Sequence, residues 1–145
     1  MKHIVIVAGP TCTGKSTYIK NHFPDYKVVD LFDFQKGIIL TADNVLKSYE
    51  NCRDALIKAI KENDKVILEH TLLMAKRRPM YIDAIRSVTN DGIDMYFILP
   101  DVETYKERLK QRGENSDDEF VEMMMSIAET PDKSEGYKNV FVIKE

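Results

Sequence analysis

The stretch HIVIVAGPTCTGKS, at residues 3–16, joins an apolar, β-branched run to a glycine-rich turn. The run His3–Ala8 has the length and composition of a buried parallel strand. The turn Gly9–Ser16 matches the pattern G-x-x-x-x-G-K-[ST], and the residues from Lys15 to Phe23 read as a helix that Pro24 ends. A strand, this loop and a helix in succession predict an α/β protein that cradles the phosphates of a nucleoside triphosphate.

Each position of the loop has a predicted role. Glycines let the backbone approach phosphates closely, and successive N–H groups supply positive potential. The nucleotide contacts are expected from Gly9, Thr11, Cys12, Thr13, Gly14, Lys15, Ser16 and Thr17. Lys15 should reach the β- and γ-phosphates, and the Ser16 hydroxyl should bind Mg²⁺, so ATP and Mg²⁺ are the expected cofactors. Only the backbone of Cys12 is needed, which favours a tolerated small residue over a catalytic thiol.

Strand-like and helix-like segments alternate along the whole chain. Predicted strands cover residues 3–8, 26–29, 65–69, 94–99 and 140–143. Predicted helices cover residues 15–23, 42–62, 78–89 and 102–112, and another begins within 115–119. This alternation indicates a three-layer αβα fold with a parallel sheet, whose ligands bind at the carboxyl ends of the strands.

Length and composition limit the classes of protein that the chain can belong to. Its 145 residues suit a single domain, 1–145, and 43% hydrophobic with 31% charged residues is ordinary for a globular protein. A net charge of −3 argues against non-specific binding of duplex DNA. No apolar run reaches the length of a membrane helix, so we expect a cytoplasmic protein. Cys12 and Cys52 are far apart, which predicts free thiols in a reducing compartment.

Two arginines at the end of a predicted helix are candidates for a lid. Arg108 and Arg112 are four residues apart, so they share one helix face, and the helix runs into Gly113. They could close over the phosphates as part of a short helical lid at about 108–120. Alternatively, they complement the dipole of the helix C-terminus.

Two aspartates after the second predicted strand are candidates for the catalytic base. Asp33 lies between Phe32 and Phe34, so a partly desolvated carboxylate with a raised pKa is expected, although a helix N-cap is an equal alternative. Asp33 is preferred and Asp30 is the second candidate. Either would accept the proton of an attacking hydroxyl.

Polar residues also end the third predicted strand. Glu69 suits the carboxylate that orders magnesium-bound water, and His70 could contact substrate or could be a strand-end residue with its own partner. Lys76, Arg77 and Arg78 precede a helix, where cations oppose the dipole unless an anion such as an acceptor phosphate is nearby. A solvated basic turn is the alternative.

These motifs resemble those of small P-loop kinases. Residues 67–72, Ile-Leu-Glu-His-Thr-Leu, followed by the basic residues 76–78, resemble a strand ending in Asp-Thr-Asn and a basic helix start in the AAA-type ATP-binding kinases. That family includes the 5′-kinase domain of polynucleotide kinase and, more distantly, the zeta-toxin kinases. Arg108 and Arg112 resemble its lid arginines. The segment Pro131–Val140, with Glu135-Gly136-Tyr137, resembles one that lies near the adenine in relatives. The resemblance implies a five-stranded parallel sheet and ATP- and Mg²⁺-dependent phosphorylation of a hydroxyl.

Departures from the family pattern concern the acceptor. Phe32-Asp33-Phe34-Gln35 stands where polynucleotide kinases carry Asp-Asp-aromatic-Arg, so either Asp33 or Asp30 takes the role of the base by a small shift or the acceptor is handled differently. The candidate acceptor contacts are Gln35, His70, Arg77 and Arg78. The acceptor is expected to be a nucleoside, a nucleotide or the 5′ end of an oligonucleotide or polynucleotide. The alternatives are a kinase of a sugar or other small-molecule metabolite and a switch-like nucleotide-binding protein without catalysis.

Overall fold

A parallel sheet forms the centre of the molecule in the computed structural model, which describes residues 1–144. Its strands are β1 His3–Ala8, β2 Lys27–Asp30, β3 Lys65–Glu69, β4 Ile93–Ile98 and β5 Asn139–Ile143. Every neighbouring pair is parallel, in the order β2-β3-β1-β4-β5. The predicted α/β fold with a five-stranded parallel sheet is therefore confirmed.

Helices cover both faces of this sheet. They are α1 Lys15–His22, α2 Ala42–Glu62, α3 Pro79–Arg86, α4 Val102–Gln111 and α5 Asp118–Ile127. Because successive strand residues point to opposite faces, Ile4 and Ile6 pack in the core beneath α2 and α3. Val5 and Val7 instead pack with Ile19 of α1. The central strand β1 is thus buried on both sides, and the loop that follows it is held on a rigid base.

Short 3₁₀ helices account for the main differences from the predicted elements. They are Leu31–Phe34, Ala75–Arg77 and Lys133–Glu135. The helix predicted from residue 78 begins at Pro79, because proline suits the first helical position. It ends at Arg86, and Ser87 at its end donates from its hydroxyl to the Ala84 carbonyl, 2.6 Å away.

Helices α4 and α5 pack through a small cluster of their own. Tyr105, Leu109 and Val121 are its buried members, and Cys12 of the glycine-rich loop packs against it. Met124 and Met125 also border this cluster, whereas Met123 is half-exposed. Within the described part of the chain, no helix combines the length and the apolar character needed to cross a membrane.

Candidate active site

The loop between β1 and α1 wraps tightly at the carboxyl end of the central strand. Gly9 has φ 144°, and a Cβ atom there would lie 2.2 Å from the Ile98 carbonyl oxygen, so only glycine fits. Its N–H donates to the Thr71 carbonyl at 3.0 Å, which ties the loop to the end of β3. The buried Thr13 hydroxyl donates to the Pro10 carbonyl at 2.8 Å. These contacts hold the loop as a closed cradle.

The Lys15 ammonium lies inside this cradle. Its Nζ donates to the carbonyls of Gly9 and Pro10, each at 2.9 Å. Burial lowers the pKa of Lys15 to about 8, and the negative charges of Glu69 and Asp30 oppose that shift. A cation held at this position suits the binding of phosphate oxygens.

The Ser16 hydroxyl and the Glu69 carboxylate meet beside Lys15. Ser16 Oγ donates to Glu69 Oε2 at 2.7 Å. Burial raises the pKa of Glu69, and the hydrogen bond from Ser16 works against that rise. Both groups offer oxygen, the ligand type that Mg²⁺ prefers, and Mg²⁺ commonly takes one or two protein ligands together with waters and phosphates. Within residues 1–144, no group of three or more His, Cys, Asp or Glu side chains could hold a metal.

Asp30, rather than Asp33, faces the loop. Asp30 lines a cleft of about 400 Å³ together with Lys15, Ser16 and Glu69, which we name the Asp30 cleft. Its Oδ1 accepts a hydrogen bond from the Phe32 N–H at 3.0 Å, so Asp30 caps the 3₁₀ helix Leu31–Phe34. The carboxylate therefore sits at a fixed position near the cradle.

The expected desolvation of Asp33 is wrong. Its side chain is 59% exposed and forms an ion pair with Lys36 at 3.1 Å. The short helix turns Asp33 outward, toward a separate depression formed with β2 and α2. Phe32 is itself 62% exposed, so it does not shield the carboxylate from water.

Arg108 of α4 and Arg112, the C-cap of α4, lie on the other side of the loop. The Arg108 Nη1 donates to the Thr13 carbonyl. Arg112 lines both the Asp30 cleft and a second cleft of about 320 Å³ beside α1, the α1 cleft. Arg108 lines the α1 cleft as well. The structure thus brings both predicted lid arginines to the glycine-rich loop.

His70 and Arg78 have buried structural partners, and His70 also lines the Asp30 cleft. His70 is 2% exposed, and its Nε2 lies 3.0 Å from the Tyr81 hydroxyl while its Nδ1 accepts from the Leu72 N–H at 3.1 Å. Burial lowers the pKa of His70 to about 3, so its imidazole is neutral. Arg78 is 1% exposed and pairs with Glu135 at 3.1 Å. Arg78 is therefore neither a solvated turn residue nor free to contact an acceptor.

The setting of Glu135 gives segment 131–140 a structural role. Tyr137 is buried in the main core, and its hydroxyl donates to Glu135 at 3.3 Å. None of residues 131–140 lines the Asp30 cleft or the α1 cleft. The segment braces Arg78, because Glu135, whose side chain is 21% exposed, supplies the carboxylate that pairs with the buried guanidinium.

The remaining candidates lie near the Asp30 cleft. Gln35 lines it, and its amide donates to the Ser48 hydroxyl at 3.2 Å. Arg77 is exposed and lines a groove that adjoins the cleft. Lys76 is also exposed, but it lines neither the Asp30 cleft nor this groove. Several lining residues were not predicted, and Thr71 and Tyr18 are examples. Thr71 lines both the cleft and the groove, and Tyr18 lines the α1 cleft. The position of Thr71 directly after the strand-end pair Glu69-His70 could have indicated it.

A parallel sheet with this loop at the end of its central strand defines a P-loop protein of the αβα class. The chain belongs to a family described as AAA domain, whose profile matches residues 4–128.

Three solved structures show the same fold. A sugar kinase from Janibacter sp. HTCC2649 has a TM-score of 0.68 at 15% identity, over 99% of this chain and 86% of that one. A gluconokinase from Sinorhizobium meliloti 1021 has a TM-score of 0.64 at 17% identity, over 98% of this chain and 82% of that one. A chain of the Pnkp1/Rnl/Hen1 RNA repair complex has a TM-score of 0.72 at 16% identity, over 88% of this chain but only 44% of that one. No curated protein is a significant sequence match.

Proposed function

We propose that the protein is a kinase that uses ATP and Mg²⁺ to phosphorylate a hydroxyl group. The observation that carries this proposal is the convergence of Lys15, the Ser16–Glu69 pair and Asp30 on one cleft. Phosphoryl transfer needs cations at the phosphates, metal ligands and a carboxylate for the attacking hydroxyl. The similarity to a sugar kinase and a gluconokinase supports a fold suited to this chemistry.

The glycine-rich loop and Lys15 would hold the triphosphate. Loop N–H groups and the N-terminus of α1 favour anions, and the buried ammonium adds a full charge. Ser16 would bind Mg²⁺ and Glu69 would orient its waters. Bound Mg²⁺ neutralises charge on the phosphates and aligns them for in-line attack.

Asp30 would act on the acceptor hydroxyl. Its carboxylate lines the same cleft as Lys15, so it can accept the hydroxyl proton as the acceptor oxygen bonds to the γ-phosphorus and the bond to ADP breaks. Arg108 and Arg112 would lie over the phosphates from the α4 side and stabilise the charge that moves there. These groups account for each requirement of the reaction with residues of this chain.

The acceptor is a hydroxyl of a nucleoside, a nucleotide, a polynucleotide 5′ end or a small metabolite such as a sugar. Gln35 lies where it could contact that molecule, since it lines the Asp30 cleft. The Asp30 cleft can hold the reacting end of any of these acceptors.

Consumption of ATP with Mg²⁺ tests the proposal against a panel of nucleosides, nucleotides, oligonucleotides with 5′ hydroxyls, sugars, and other small hydroxyl compounds that include aromatic alcohols with and without a carboxylate. We expect one acceptor class to stimulate turnover in the wild type and in Lys20→Ala, because Lys20 is exposed and lines neither cleft. Lys15→Ala should abolish that stimulation. Tight nucleotide binding without stimulated turnover by any acceptor would contradict the proposal and favour a non-catalytic binding role.

A further inference from the structure

An apolar groove adjoins the Asp30 cleft. It lies between the N-terminus of α2 and the loop after β3, and its volume is about 370 Å³. Thr71 lines both concavities, so the groove opens toward the place where the acceptor hydroxyl would react. Its aliphatic lining includes Leu40, Val45, Leu46, Leu73, Met74 and Ile127. Leu40 and Leu46 are 60% and 46% exposed, so a bound molecule would remove apolar surface from water.

Within residues 1–144, few polar groups line this groove, and its single charged side chain is a cation. Arg77 is the one charged side chain among the described residues that line the groove, and no carboxylate lines it. The Thr41 hydroxyl already accepts from the Asn44 N–H at 3.2 Å. The N-terminus of the 21-residue helix α2 adds positive potential near Arg77, although Asp43 in its first turn is exposed. The groove therefore suits an apolar group and a single anion.

We propose, on the basis of the kinase function above, that the acceptor is a small hydroxyl compound with an apolar body and one anionic group. The body fills the groove, the anion pairs with Arg77, and the hydroxyl passes Thr71 to reach Asp30. A sugar would leave several hydroxyls unpaired against aliphatic side chains. A polynucleotide would place successive phosphates along a surface that offers a single lining cation.

Three probes separate these possibilities: para-hydroxymethylbenzoate, benzyl alcohol and ribose. Their affinities are measured by calorimetry on the full chain without nucleotide. We expect the benzoate to bind most tightly, benzyl alcohol more weakly and ribose least. Arg77→Gln should weaken the benzoate roughly tenfold, to the level of benzyl alcohol, because a charge-assisted contact is lost. Ribose binding as tightly as the benzoate, or an Arg77→Gln affinity equal to that of the wild type, would overturn the inference.

Leu46→Gln tests the apolar part of the groove. It should weaken both aromatic probes several-fold, whereas Val102→Gln should not, since Val102 is 41% exposed on α4 and does not line the groove. Both replaced side chains lie at the surface, so both variants should retain the wild-type thermal midpoint. If Leu46→Gln leaves probe binding intact but converts a dimer to a monomer in sedimentation, a second copy covers the groove and the inference fails.

ATP consumption separates this inference from the kinase proposal. Stimulation by the benzoate in the wild type, with turnover lost but probe binding kept in Lys15→Ala, supports both. Groove-dependent probe binding with no ATP use by the wild type supports the ligand class and contradicts phosphoryl transfer. Stimulation by ribose but not by the benzoate supports the kinase and overturns the acceptor class.

Discussion

The pKa of Lys15 makes nucleotide binding depend on pH. In the folded protein its ammonium loses a proton near pH 8 instead of 10.5, because burial disfavours the charge. Phosphates favour the charged form, so binding above pH 8 requires uptake of a proton. We expect the affinity for ADP with Mg²⁺ to be level below pH 8 and to fall by up to about tenfold per pH unit above it. Calorimetric titrations across this range measure the slope.

Lys15→Met supplies the control for this prediction. The affinity of this variant for ADP with Mg²⁺ should be low at every pH and should not decline further above pH 8. The same pKa shift also affects folding. Burying the charged ammonium costs stability below pH 8. Between pH 8 and 10.5 the unfolded chain binds more protons than the folded protein, so this cost falls and the free energy of unfolding rises with pH. A wild-type affinity that is constant up to pH 10 would contradict the assignment of Lys15 as the phosphate-binding cation.

The two aspartates after β2 should differ sharply in their effect on catalysis. Asp30→Asn keeps an oxygen that can accept from the Phe32 N–H but cannot take a proton from the acceptor. It should lower kcat about 10²–10⁴-fold. Asp33→Asn should stay close to wild type, since Asp33 is exposed and paired with Lys36. Rates are compared with the acceptor that stimulates ATP use. A larger loss in Asp33→Asn would restore Asp33 as the base.

At this scale, the sequence predicted residue types better than residue environments. The positions of Lys15 and Ser16 follow from a local motif, because the loop fixes them within a few bonds of the backbone. The choice between Asp30 and Asp33 depends on a 3₁₀ helix that turns Asp33 toward water. No periodicity or spacing in the sequence indicates that turn.

At the scale of elements, neighbouring arginines in the chain should differ in their contribution to stability. Arg78 donates to the carbonyls of Leu72 and Leu73, at 3.0 and 3.1 Å, and pairs with Glu135. Its guanidinium thereby joins the loop after β3 to the segment before β5. Arg78→Ala should reduce the free energy of unfolding by about 3–5 kcal/mol, because Glu135 and the carbonyls lose their partner.

Arg77→Ala is the matched control in urea unfolding. Arg77 is exposed, so its replacement should change the free energy of unfolding by less than about 0.5 kcal/mol. Equal stability of the two variants would show that the ion pair between Arg78 and Glu135 does not brace these segments.

The helices and strands themselves were largely predictable from the sequence, but the long-range side-chain contacts between them were not. Buried strands such as β1 and β3 are continuous apolar runs, and Pro24 and Gly113 mark the ends of helices. The burial of Arg78 depends on Glu135, 57 residues away, so the basic run at 76–78 gave no sign of it. Long-range pairing of this kind is invisible to local pattern.

At the scale of the whole molecule, α4 and α5 pack mainly through a small cluster of their own, and Met124 of α5 also packs against the main core. Their cluster has three buried members, Tyr105, Leu109 and Val121, whereas the sheet and its helices share a much larger core. Arg108 contacts the Thr13 carbonyl, and Arg112 lines both clefts. A unit with little buried apolar surface opens at low cost, so bound nucleotide should order it.

Hydrogen exchange measures this ordering. Without nucleotide, amides of α4 and α5 should exchange faster than those of β1 and β3, because the sheet core is fully buried. ADP with Mg²⁺ should slow exchange in α4 and α5, with a stabilisation of up to about 2.7 kcal/mol when the ligand is at 100 times its Kd. Arg112→Ala should reduce the slowing, while Lys110→Ala, an exposed lysine of the same helix that lines neither cleft, should not. Equal slowing in both variants would mean that nucleotide orders α4 and α5 without Arg112, and it would contradict the assignment of Arg112 as a lid residue.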